Sequence, residues 1–308
     1  MVSVQAEPSD LQSWLALARR LESAGFRGLL MGDHPGSGAS PWPALGCAAA
    51  VTETLRLGTY VLQAGVREPM HVAADAASLD VLAPGRVLLG IGAGHTPREW
   101  EDIGRHRPPP RERAGRLVEF ADAVAGLLKG EAVTAEGRYL TLRAARLEGL
   151  PVGAGRVSLV VGGGHPEVLR AAARRADVVA ISGLGRTLPD GHRHEVRWSR
   201  ADLQRQLQLV RDEAQRVGRT PIIEALVQMV TVTEDRAASI KEITGRNPGL
   251  PAEDLARTPF ALIGTYEEMA AQLLTQAQEF GISSYVVREP AVSHIERVLA
   301  LLKVIPDE

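Results

Sequence analysis

A single cysteine in 308 residues, Cys47, rules out an intramolecular disulfide and with it the small secreted folds that depend on such bridges. Its setting, Ala44-Leu-Gly-Cys-Ala-Ala-Ala50, reads as a small side chain buried on a helix. Aromatic residues are almost as scarce, 4 % against 45 % hydrophobic residues overall, so the core has to be built from Ala, Val, Leu and Ile. Aliphatic layers of that kind suit the interior of a strand barrel. No apolar run is long enough to span a bilayer, and Met1 to Asp10 lacks the basic region and apolar stretch of a secretion signal. A net charge of −2 with scattered arginines offers no polybasic footprint for nucleic acid or an anionic membrane. No metal site is expected either. His192-Arg-His194-Glu195 has an H-x-H spacing, but in a polar loop without further ligands it reads as solvated. The expectation is a cytoplasmic protein whose partner is a small molecule or a modified peptide.

What is present is a rhythm of short apolar runs and amphipathic helices. Val2 to Gln5 reads as a strand. Ser9 and Gln12 stand in capping-box relation ahead of a helix whose inner face is Leu11, Trp14, Leu15, Ala18 and Leu21, and which Gly25 ends. Gly28 to Met31 is too short for a helix and uniformly apolar, as a buried parallel strand should be. An Ala-rich helix to about Thr54, a strand Leu55 to Leu62, a helix opened by Pro69 and a strand Arg86 to Ile91 complete four strand-helix units. After a Pro-rich stretch, 96–111, come a helix Glu112 to Leu128 and a hairpin Ala132 to Leu142. The strand Val157 to Val161, the helix Pro166 to Arg175 and the strand Asp177 to Ile181 resume the alternation. A polar loop Arg186 to Arg200 precedes the helix Ala201 to Val217 and a long strand Ile222 to Val232. The helix Glu234 to Ile243 leads through an irregular segment to a helix capped by Thr265 and Glu268, an eighth strand Ser284 to Val287 and a closing helix Ile295 to Leu302. Eight strands without a composition break predict one α/β domain over 1–308, a (β/α)8 TIM barrel with insertions. An open doubly wound sheet is the alternative.

In such a barrel the carboxyl ends of the strands form the reactive face. The second strand delivers Asp33 and His34 there, a carboxylate beside an imidazole, although Asp33 capping the next helix and His34 turning the chain would explain them too. The run Gly90-Ile-Gly-Ala-Gly94 lacks the third glycine of a dinucleotide fingerprint and reads as backbone made bare for a flat ligand. Gly162-Gly-Gly-His-Pro166 ends a strand and opens a helix, which aims free N–H groups at a phosphate, and Ser182-Gly-Leu-Gly185 lies after the adjoining strand. A plain tight turn is the other explanation of these glycines.

Leu21-Glu-Ser-Ala-Gly-Phe-Arg-Gly-Leu-Leu-Met-Gly-Asp-His34, Leu57-Gly-Thr-Tyr-Val-Leu62, Asp80-Val-Leu-Ala-Pro-Gly-Arg-Val-Leu-Leu-Gly-Ile-Gly-Ala-Gly94, Val160-Val-Gly-Gly-Gly164 and Ile263-Gly-Thr-Tyr-Glu-Glu-Met269 together resemble the bacterial luciferase-like superfamily. Within it the chain is most similar to oxidoreductases that use the deazaflavin coenzyme F420. The resemblance covers nearly the whole chain and implies a barrel holding the cofactor ring at the strand ends. It implies Asp33 at the ring edge, His34 as acid or base beside the reactive carbon, and a non-prolyl cis peptide at Tyr60-Val61 under the ring. Gln63 would meet the polar edge, Gly94 the ring, and the N–H groups of Gly163, Gly164, Gly183 and Leu184 the phosphate. Where sugar-phosphate dehydrogenases of this branch carry a catalytic glutamate after the fourth strand, this chain has His95, a second candidate for proton transfer. Hydride transfer between F420 and an organic substrate, such as reduction of an activated C=C or C=O, is the leading expectation. An FMN-dependent two-component monooxygenase and a non-catalytic flavin-binding barrel are the alternatives. Members are often dimers, and the Ala-rich helix from Trp42 offers a face for a homodimer.

Overall fold

A computed structural model describes residues 1–153, 155–188, 194–247 and 249–304 of the chain. Eight parallel strands close into a barrel: β1 (Val2–Gln5), β2 (Gly28–Met31), β3 (Arg56–Gln63), β4 (Val87–Gly92), β5 (Val157–Gly162), β6 (Val178–Ile181), β7 (Ile222–Leu226) and β8 (Ile282–Arg288). Each strand pairs with its sequence neighbours, and β1 pairs with β8 to complete the ring. The helices that return the chain are α1 (Leu11–Ala24), α2 (Pro41–Ala49), α3 (Pro69–Leu82), α4 (Pro110–Leu128), α5 (Pro166–Arg175), α6 (Arg200–Arg216), α7 (Tyr266–Phe280) and α8 (Val292–Val304). The expected (β/α)8 barrel is the observed one.

Strand alternation divides the apolar residues into two sets. Leu30, Tyr60, Leu88, Val160, Val178, Ala180, Leu226 and Val286 point inward and fill the barrel. Leu29, Met31, Leu57, Leu89 and Ile91 point outward under Trp14, Leu45, Val72 and Phe120 of the helices. At the amino ends of the strands the interior turns polar. Glu224 accepts from the Ser284 hydroxyl at 2.7 Å and lies 3.7 Å from Arg27, both ionic groups being almost wholly buried.

Local chemistry sets several ends. Pro41, Pro69, Pro110 and Pro166 each open a helix, where a missing N–H costs nothing. Thr265 and Glu268 form the expected reciprocal box at α7. The cap of α1 differs from expectation: Asp10, not Ser9, accepts from the Ser13 N–H, since a carboxylate one residue closer reaches the exposed donor. Cys47 is exposed rather than buried, because the inner face of α2 is taken by Leu45, Ala48 and Ala49.

Three further departures lie between the strands. The long run 222–232 is two strands. β7 ends at Leu226, the N–H groups of Val227 and Gln228 turn to the carbonyls of Val286 and Phe260, and Met229–Val232 pairs outside the barrel with Ala261–Gly264. The polar loop after β6 contains an antiparallel ribbon, Leu184–Thr187 against His194–Val196. A short helix, Pro97–Glu101, interrupts the Pro-rich stretch after β4. The insertion hairpin is present as Val133–Glu136 against Thr141–Ala145. Among the described residues no helix is long and apolar enough to cross a membrane.

Candidate active site

Asp33 and His34 leave β2 side by side but serve different partners. Asp33 is buried and accepts from Arg67 Nε at 2.7 Å and Nη2 at 2.6 Å, and from the Gln63 backbone N–H at 3.2 Å. A guanidinium fork matched to both carboxylate oxygens is a strong, directional pairing. It ties the loop after β2 to the tip of β3, so a ring-edge contact by Asp33 has only the remaining lone pairs to use.

His34 Nδ1 lies 2.7 Å from Glu99 Oε1. Glu99 is 4 % exposed, and its other oxygen accepts from the Gln63 side-chain amide. Two carboxylate oxygens thus hold two groups from two strand tips, and a carboxylate at Nδ1 places the proton on that nitrogen. The Glu99 hydrogen bond raises the His34 pKa above that of a free imidazole, with the charges of Glu99, Glu7 and Asp33 adding and partial burial opposing.

His95 goes the other way. Burial first, then the positive charges of His194, His34, Arg107 and Arg113, lower its pKa to about 4. Its ring meets that of His34 edge-on at 5.8 Å between centroids and that of His194 at 4.8 Å. At neutral pH His95 is uncharged while His34 keeps a proton more readily than a free imidazole. Paired titratable groups pushed apart in this way have separate acid and base roles. The partner His192 of the H-x-H pattern lies outside the described residues.

The peptide bond between Tyr60 and Val61 is cis, and Gln5 Nε2 donates to the Tyr60 carbonyl at 2.7 Å. Around it the β3–β4 register shifts, and the Thr59 hydroxyl substitutes for the displaced ladder by donating to Gly90 O and accepting from Gly90 N. This explains the glycines of β4. A Cβ on Gly90 would stand 2.1 Å from Thr59 O, and one on Gly92 2.5 Å from Val61 Cγ2. Those two positions are bare to admit the neighbouring strand rather than a flat ligand. Gly94 is bare because the Gln63 side chain lies against it, 2.3 Å from where a Cβ would be.

The two glycine loops sit at adjacent strand ends as expected, but their donors are unequal. Gly163 N–H is spent on Ala180 O at 3.3 Å, and Leu184 N–H makes a long contact, 3.4 Å, to the Ser182 hydroxyl. Gly164 and Gly183 N–H have no partner among the described residues. Gly164 opens directly onto α5, whose cap His165 accepts from Glu167 N–H through its own ring nitrogen. Gly183 has a left-handed φ of 64° and lies under Phe260 and Trp198, whose rings leave no room for a side chain.

Glu99, Arg67, Arg107 and Arg113 are the site residues that the sequence does not announce. Glu99 is one of many glutamates, and only Pro97 two positions earlier hints at a helical turn. Trp100, next to it, is packing: it is 3 % exposed and covers Gly65, where a Cβ would meet the indole at 1.9 Å. The site fits a flavin-like ring with a phosphate. Gln63 Oε1 is buried with no partner, and free N–H groups stand at the start of α5.

The sequence model of the family described as luciferase-like monooxygenase matches residues 2–284. An F420-dependent glucose-6-phosphate dehydrogenase of Beutenbergia cavernae is 37 % identical over 197 residues, covering 60 % of this chain and 56 % of that protein. A 4-hydroxyprotoasukamycin monooxygenase of Streptomyces nodosus subsp. asukaensis is 35 % identical over 162 residues, covering 50 % and 43 %. The chain therefore spans about half the length of the curated relatives it matches. Among solved structures, an F420-dependent secondary alcohol dehydrogenase in complex with an F420-acetone adduct superposes with a TM-score of 0.75 over 100 % of this chain and 99 % of that one, at 19 % identity. At that identity the superposition speaks for the fold.

Proposed function

The chain belongs to the luciferase-like monooxygenase family, and on that premise we propose that it is an oxidoreductase using coenzyme F420 to act on a small organic molecule or a modified peptide. The observation that carries this reading is the His34–Glu99 pair at the tip of β2, beside the β3–β4 register shift at Tyr60-Val61. Similarity to F420-dependent glucose-6-phosphate dehydrogenases supports the choice of deazaflavin. When bound, F420 supplies or accepts the hydride.

Every other part of the reaction falls to the protein. Val61 and Gln63 would bear on the ring, and Gly164 with Gly183 would donate N–H groups to the phosphate. Asp33 would act mainly through Arg67, by fixing the β2 and β3 tips relative to each other. His34 as the imidazolium would give its Nε2 proton to the substrate oxygen or carbon in the reducing direction, with Glu99 stabilising the cation and keeping the Nδ1 proton once Nε2 is bare. His95, neutral at working pH, would hydrogen-bond the substrate rather than protonate it. The cytoplasm as location and a homodimer through the α2 face belong to the same reading.

Replacing His34 by Ala should lower turnover on the order of 10²-fold while leaving F420 affinity within a few-fold. Undiminished turnover in that variant would remove His34 from the chemistry. A second reading, an FMN-dependent monooxygenase, is favoured by the similarity to 4-hydroxyprotoasukamycin monooxygenase. Oxygen consumption with reduced FMN separates the two.

A further inference from the structure

The mouth of the barrel carries positive charge that no carboxylate among the described residues pairs with. Arg113 reaches up from α4, donating to Gly94 O and, through Nε, to Pro108 O at 3.1 Å. Arg107 reaches the ribbon after β6, with Nη2 3.5 Å from the Thr187 hydroxyl. Thr187 is the register partner of His194, whose ring stacks edge-on against His95. Arg107 thus reaches the ribbon residue paired with His194, His194 meets His95, and Arg113 holds the carbonyl of Gly94, the residue before His95. Among the described residues neither Arg107 nor Arg113 makes an ion pair, whereas most other partly buried arginines near the strand ends do. Among the described residues, the carboxylates Glu99 and Asp33 are already engaged, Glu99 by His34 and Gln63, and Asp33 by Arg67.

Among the described residues, two polar atoms of this cluster are left without partners. Arg107 Nε and His194 Nδ1 are both buried and unsatisfied. Burial and the neighbouring Arg107 charge together push Arg113 down to about 10, a cost of holding two desolvated cations together. An oxyanion removes that cost, because charge-assisted hydrogen bonds to a guanidinium are roughly twice as strong as neutral ones. Unsatisfied buried polar atoms beside uncompensated cations mark a place where a ligand completes the network.

We propose that Arg107, Arg113 and His194 form a seat for an anionic group of the substrate, a carboxylate or a phosphate, held beside His95. The assignment rests on the F420-dependent reading, which places the substrate at this mouth. The seat draws on the loop after β4, the first turn of α4 and the ribbon after β6, whereas the free Gly164 N–H that suits the cofactor's phosphate stands ahead of α5. Substrates would be small acids or phosphate esters whose reducible group is positioned by the anion.

The test is calorimetric titration of inorganic phosphate into the full chain, once without cofactor and once saturated with F420. Saturable binding is expected in both states, at least tenfold weaker in Arg107→Gln and in Arg113→Gln, and unchanged in Arg98→Gln, an exposed arginine outside the cluster. Phosphate should also raise the thermal midpoint of the parent protein and not of the two cluster variants, which checks that they fold. Equal phosphate binding in parent and cluster variants, or no saturable binding, overturns the seat. Mutual exclusion of phosphate and F420 overturns its assignment to substrate. Failure of F420 to bind refutes the cofactor reading alone, since the titration without cofactor still decides the seat.

Discussion

Glu99 follows His95 by four positions on the turn of helix that Pro97 opens, yet the imidazole it holds is His34, 65 positions away. The consequence is an exchange of roles between two histidines that look alike in the sequence. His34 gains a carboxylate partner and keeps its proton to higher pH; His95 is surrounded by cations and loses its proton until the pH falls to about 4. A general acid must be protonated, so kcat/KM for reduction should fall as pH rises through the elevated His34 pKa. Glu99→Gln removes the charge that sustains that elevation. The falling limb should then move to lower pH, while the plateau on its acid side changes less. A pH profile whose limb stays in place would mean that Glu99 does not govern the proton. The same pair links to stability with a fixed sign: a raised histidine pKa contributes stability below the ordinary value near 6.5 that is lost as pH rises through the folded value.

At the scale of elements, the β3–β4 contact decides the shape of the mouth. Thr59, the cis Tyr60-Val61 bond and the bare Gly90 and Gly92 form one unit in which each small residue makes room for a bulge on the other strand. Gly90→Ala puts a methyl 2.1 Å from a backbone oxygen and should cost about 3 kcal/mol in urea unfolding. Gly46→Ala, in the middle of α2 with nothing within 4 Å of the new Cβ, should instead gain about 0.5–1 kcal/mol. Equal effects of the two would deny that crowding is what keeps Gly90 bare.

Elements were legible where local chemistry sets them. Uniformly apolar runs such as Gly28–Met31 give buried strands, and prolines at 69 and 166 mark helix starts, while Pro110 opens its helix two residues ahead of the expected Glu112. The run 222–232 reads as one strand because β-forming apolar residues continue across Val227, and only the long-range bonds to Val286 and Phe260 divide it. The site followed the same rule. His34 and the glycine loops could be found because strand ends deliver them. Glu99, Arg67, Arg107 and Arg113 could not, since each acts through a partner far along the chain and none carries a local signature.

The whole molecule separates a floor that holds the barrel closed from a mouth that carries the candidate site, with the aliphatic ring of Leu30, Leu88, Val160, Leu226 and Val286 between them. The floor depends on Glu224, whose pKa is raised by burial although the Ser284 hydroxyl and Arg27 favour its charged form. Glu224→Ala leaves the Arg27 cation buried without its counter-charge and should destabilise the protein by about 3 kcal/mol or more. Denaturation would report that loss, while the pH profile set by His34 should stay unchanged because, among the described residues, Glu224 and His34 share no hydrogen-bond partner. A shifted profile in that variant would show that floor and mouth act as one network.

The central claim, a deazaflavin oxidoreductase site at the tip of β2, is tested most directly by titrating the purified cofactor-free chain with F420 and, separately, with FMN, following the absorbance of each. Saturable one-to-one binding of F420, at least tenfold tighter than FMN, is the predicted result. Saturation by FMN with no response to F420 would contradict it.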